Sequence, residues 1–299
     1  MERIKRVNEV FLITVALSVV ASFVLGAIPA LQDNELASLL FSQLVYAVPV
    51  LIYLLKTREN PKTALRFQGL KPVTVILLVV FAYLITPVLN VLNAVSMLFS
   101  TNMINNSLMG IITEYPLWVG IASVALVPAI LEESVYRGVF FNEYRKKNPR
   151  LGILISGLLF GLMHMNINQF SYAFVMGIIF AILVEATDSL FASMVVHFVI
   201  NATSVLASAF VGEAVMVQTK GELISYLYTM LPIAVVFTGL AIAILFLIAK
   251  LEKKREVLKT LFSAENKKRE TIVTLPLVLG IVICVFLMVY MEIVNRLTL

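Results

Sequence analysis

An all-α, polytopic transmembrane helical bundle is the fold class that this sequence predicts, and three observations predict it. Of the 299 residues, 60% are hydrophobic and only 14% are charged, a balance that excludes an ordinary soluble domain. The apolar residues fall in runs of spanning length, set against the roughly 20 residues that a helix needs to cross a bilayer. The basic residues collect in short segments between those runs. Such segregation is a topology signal, so the net charge of +5 and the isoelectric point near 9.2 do not argue for nucleic acid. The chain reads as one integral membrane domain over 1–299. Cys284 is the single cysteine, which excludes an internal disulfide and any multi-cysteine metal or redox site.

Taken in order, the first apolar run lies at roughly 9–31, behind Arg3, Lys5 and Arg6, and is too long for a cleaved signal, so it reads as a retained helix. Runs at roughly 36–55 and 72–99 follow, with Asn60-Pro61 and Lys71-Pro72 bracketing the loop between them. The run at roughly 116–141 is interrupted by charge, and Asn148-Pro149 marks the turn after it. The next run, roughly 151–165, is the shortest and makes the count eight or nine spans. Runs at roughly 169–187, 189–211, 223–249 and 272–295 complete the bundle. The segment 250–271, rich in Lys and Glu, reads as a cytoplasmic charged loop able to form a surface helix on anionic lipid.

Orientation follows from the Lys and Arg positions. With a cytoplasmic N-terminus, the inside segments collect Arg3, Lys5 and Arg6, the basic residues of 56–71, those of 145–150 and those of 250–269. The opposite side receives Lys220 and Arg296, and Arg137 lies within a span. The positive-inside rule is then obeyed by nine helices with an outside C-terminus.

One stretch is too polar for hydrocarbon: Glu132, Glu133 and Arg137 stand within six residues of an apolar run. Each ionisable group there costs about 2.5–3.5 kcal/mol on insertion scales, which implies pairing and a function. Glu133 and Arg137 are i, i+4 on one helix face and read as a buried ion pair. Glu132 is rotated away, and so is free to address another helix. Pro128, four residues earlier, displaces the carbonyl of Val124 and is expected to kink the helix.

Both histidines fall in apolar helical runs with a helper at helical spacing, Phe160 before His164 and Asn201 after His197. At about 1.5 Å per residue, Glu132 lies roughly 18 Å from the inner boundary, His164 roughly 20 Å and His197 roughly 12 Å. A single buried site requires such agreement. Gly157 and Gly161 allow a close helix approach beside His164.

These residues resemble the CAAX protease and bacteriocin-processing family, also called Abi or Rce1-like, of intramembrane proteases. Its Glu-Glu-x-x-x-Arg motif stands as Glu132-Glu133-Ser134-Val135-Tyr136-Arg137, its Phe-x-x-x-His as Phe160 and His164, and its His-x-x-x-Asn as His197 and Asn201. The resemblance covers about 127–205 as a protease core and is silent about the flanking spans. It implies an intramembrane endopeptidase that hydrolyses a membrane-associated or lipidated peptide or protein by glutamate-activated water. Glu132 would be the base, His164 would hold and polarise the water, and His197 with Asn201 would stabilise the oxyanion. Glu133, Arg137 and Phe160 would support the site. No cofactor is expected, and no partner beyond substrate and bilayer. Two alternatives stay open: a catalytically inactive scaffold or immunity protein, and a zinc-dependent membrane peptidase with His164, His197 and Glu132 as ligands. A transporter would show repeated halves, and none is present.

Overall fold

The computed structural model describes residues 2–100, 104–211, 219–262 and 272–298, and the side chains of these other than 104–108, 262 and 298. All regular structure among them is helical. The longer helices are α1 (Glu2–Ala27), α2 (Glu35–Thr57), α3 (Pro72–Met97), α4 (Ile104–Glu114), α5 (Leu117–Arg145), α6 (Pro149–Leu162), α7 (Ile167–Thr187), α8 (Leu190–Val211), α9 (Lys220–Leu251), α10 (Arg255–Phe262) and α11 (Leu275–Thr298). Eight of these are long and apolar enough to cross a membrane, all but α4, α6 and α10. The protein is an integral, multi-pass membrane protein, and large apolar side chains such as Phe23, Leu55, Val235 and Phe286 are exposed on its outward faces.

Helix limits follow from local chemistry. Asn34, Asn148 and Asn166 cap α2, α6 and α7 by accepting backbone N–H bonds from Ala37, from Arg150 and Leu151, and from Gln169. Thr219 and Glu222 form a capping box at the start of α9. Helix α7 ends at Asp188, whose left-handed backbone (φ 60°) turns the chain into α8.

The ninth expected span is α6. Its 14 residues rise only about 21 Å, short of a full crossing. It nevertheless runs away from the basic end, and α7 returns, because Glu185 near the end of α7 bonds Arg145 just before α6 begins. Their backbones nearly touch: a methyl group on Gly177 would lie 2.6 Å from the Cα of Gly157, so glycine is required at this crossing.

Four of the basic segments meet at one end of the bundle. Arg3 reaches Glu59 and Glu143, Arg66 and Lys254 share Asp188, Lys71 meets the end of α9, and Arg150 donates to the Thr260 carbonyl. Arg296 lies at the opposite end, against the Phe99 carbonyl. The charged segment 250–271 includes α10, whose Leu258 and Leu261 are buried against the bundle. Lys267, Lys268 and Arg269, counted in that segment, lie outside the described residues.

Candidate active site

The site is built on α5, which is not a uniform helix. The segments Ile121–Leu126 and Ser134–Phe141 are π-helical, and between them Val127–Glu133 is α-helical and carries Pro128, Glu132 and Glu133. Such π-helical turns, each adding a residue to a turn, cluster at functional sites. Pro128 has no N–H to give the Val124 carbonyl, and that oxygen is satisfied from another helix, by Asn201 Nδ2 at 3.2 Å. Sequence spacing places Asn201 beside His197. The structure instead engages its amide with the carbonyl that the proline leaves open.

Glu133 and Arg137 are wholly buried and form an ion pair at 2.7 Å. Glu133 Oε1 also accepts from His197 Nδ1 at 3.0 Å. A carboxylate paired with arginine can only accept, so the hydrogen sits on Nδ1 and Nε2 is the nitrogen left to the site. That Nε2 faces Glu132 Oε2 across 4.0 Å. The other oxygen of Glu132 accepts from Gln43 Nε2, on α2, at 3.1 Å. The two adjacent carboxylates thus flank opposite nitrogens of one imidazole, while only Glu133 pairs with Arg137 and only Glu132 reaches Gln43.

Phe160 is the hub of the cluster. Its ring lies 4.3 Å beneath the Arg137 guanidinium, and its edge contacts reach Tyr136 at 5.0 Å, His164 at 5.1 Å and His197 at 5.9 Å. Phe180 covers Arg137 at 5.0 Å and His197 at 5.2 Å. Tyr136 adds a third ring at 5.9 Å, so the charge on Arg137 is held by one carboxylate and three aromatic rings.

His164 departs from the sequence expectation. It lies in the turn beyond α6, not inside a helix, with its backbone N–H on the Gly161 carbonyl at 3.3 Å. This tightened last turn leaves the Phe160 carbonyl without its helical donor, and His164 Nδ1 donates to it at 2.8 Å. Its Nε2 is thereby left outward, as in His197. Met165 then adopts φ 49° and turns the chain into the Asn166 cap.

The structure therefore brings Glu132, Glu133, Arg137, Phe160 and His197 into direct contact, joins His164 through Phe160, and ties Asn201 to the helix that carries the glutamates. Gln43 was missed, although a lone carboxamide in an apolar run is its own signal. Phe180 carries no signal in a run of apolar residues. Among the described residues, no three His, Cys, Asp or Glu side chains are grouped closely enough to hold a metal.

Comparison with known proteins agrees with the motifs. Residues 113–203 match the model of a peptidase family described as type II CAAX prenyl endopeptidase Rce1-like. The match takes in all seven motif residues and leaves α1, α2, α3, α9 and α11 outside it. Neither the curated proteins nor the solved structures give a match.

Proposed function

We propose that the chain is an intramembrane endopeptidase that hydrolyses a peptide bond of a membrane-associated or lipidated substrate with water activated by Glu132. The observation that carries this reading is the setting of Glu132, with one oxygen held by Gln43 and the other facing His197 Nε2. Glu132 takes a proton from water as the water attacks the peptide carbonyl, and returns it to the departing amine. His164, with Nδ1 committed to Phe160, offers Nε2 to hold that water. His197, held through its Nδ1–H by Glu133, turns Nε2 toward the developing oxyanion and stabilises it when that nitrogen carries a proton, and Asn201 adds the N–H that Val124 does not use. The reaction needs no metal and no side-chain nucleophile.

The basic end of the bundle is assigned to the cytoplasm. An impermeant maleimide should then label a cysteine placed at Lys253 only after the cells are opened, and one placed at Lys220 in intact cells. Reverse labelling would invert the topology.

Comparative peptidomics of membranes carrying the wild type or Glu132→Gln tests activity and identifies the substrate together. Peptides released only by the wild type are expected. Identical peptide sets from the two would favour the scaffold reading, in which the same polar cluster binds without turnover.

A further inference from the structure

Helix α2 lies outside the family match, yet one of its faces carries two hydrogen bonds and an aromatic contact to α5. Gln43 donates to Glu132, the Tyr46 ring lies 6.1 Å from that of Tyr136, and Tyr53 donates to Glu143 at 2.6 Å. We propose that Gln43 is a positioning residue of the active site, which ties Glu132 Oε1 and so presents Oε2 to the reacting water. The inference rests on the general-base reading of Glu132.

Three features point to this role. The Glu132 side chain is 10% exposed, and its intrahelical neighbours give its carboxylate no hydrogen bond, so the Gln43 amide is what fixes its rotation. The amide orientation is determined, because a carboxylate accepts and only Nε2 can donate to it. Gln43 Oε1 is then buried without a hydrogen-bond partner. An amide kept in a membrane span solely to join two helices would use both of its ends, since a buried unsatisfied oxygen is a standing cost. An apolar side chain of similar length would pack there without that cost. The register of α2 does not depend on Gln43, because Tyr53 and Glu143 hold it nearer the helix end.

The test uses purified full-length protein and two readouts. The infrared carboxyl band present in wild type and absent in Glu132→Gln should shift in frequency in Gln43→Met, because that side chain cannot donate. On an internally quenched peptide bearing an S-farnesyl cysteine, kcat should fall about 10–100-fold with KM changed less than about twofold, the scale expected of a misaligned catalytic group. Gln43→Asn, which keeps an amide on a shorter arm, should recover part of the loss. Gln43→Leu, which also lacks a donor, serves as the readable variant if Gln43→Met does not fold. An unshifted Glu132 band in folded Gln43→Met or Gln43→Leu overturns the inference and leaves the general-base reading intact. If Glu132→Gln cleaves the peptide as wild type does, the general-base reading falls while the band shift still reports whether Gln43 holds Glu132.

Discussion

Two ionic clusters of similar composition sit in opposite settings in this protein. At the basic end, Arg66 and Lys254 share Asp188, and Arg145 and Arg66 share Glu185, with Asp188 43% and Lys254 34% exposed. Inside the bundle, Glu133, Arg137 and His197 are essentially dry, and Arg137 Nε, Arg137 Nη2 and Glu133 Oε2 have no hydrogen-bond partner. The first cluster joins loop ends and helix ends and is graded, with Glu185 1% and Arg66 9% exposed beneath Asp188 and Lys254, which keep contact with water. The second is held at a cost that neighbouring apolar side chains would avoid, and what it gains is a fixed imidazole beside Glu132. Both clusters bury a carboxylate, so the imidazole held beside Glu132, and not burial alone, separates the site from the structural tie.

The largest effect expected from breaking either cluster is that of Glu133→Gln. It leaves Arg137 buried without its counter-charge, at about 3–5 kcal/mol, and should show as a lost folded fraction in detergent. Phe160→Leu comes next. Removing the ring under Arg137 should cost about 2 kcal/mol of cation–π stabilisation, read as a lower thermal midpoint. Equal midpoints for this variant and wild type would show that the Phe160 ring adds nothing to what Glu133, Phe180 and Tyr136 already give Arg137.

At the basic end the effects should be smaller and pH-dependent. Burial alone would push the Asp188 carboxyl up, but the hydrogen bonds from Lys254 and Arg66 outweigh it and hold the group below the usual carboxylate range. A lowered folded pKa contributes stability that is present above the unfolded value, about 3.9, and is lost as pH falls through the folded one. Asp188→Asn should therefore cost about 1 kcal/mol or less at neutral pH, given solvent screening, and nothing further in strong acid. Thermal midpoints of both proteins from pH 7 down to pH 3 measure it, and a difference that grows on acidification would reverse the sign. The smallest effect is expected from a strong chelator, which should leave the cleavage rate unchanged.

The bundle was legible because span length and charge segregation are strong signals. Helix α4 was not, since its 11 residues are too short to span. The Glu133–Arg137 pair followed from helical spacing, and its partner His197 did not, because nothing along the chain says which helix faces which. The π-helical turns of α5, which flank Pro128 and the two glutamates, are equally silent, since no residue pattern along the chain marks them. His164 was placed one turn too far into a helix because Met163 and Met165 prolong an apolar pattern that the Asn166 cap interrupts.

In the proposed reaction the adjacent carboxylates divide the work, Glu133 holding the structure and Glu132 doing the chemistry. Cleavage of the farnesylated quenched peptide by Glu132→Gln, normalised to folded protein, tests this most directly. Glu132→Gln should keep wild-type folded yield and thermal midpoint with a rate lowered about 10²–10⁴-fold, the usual worth of a general base. A Glu132→Gln protein that folds normally and cleaves at the wild-type rate would contradict it.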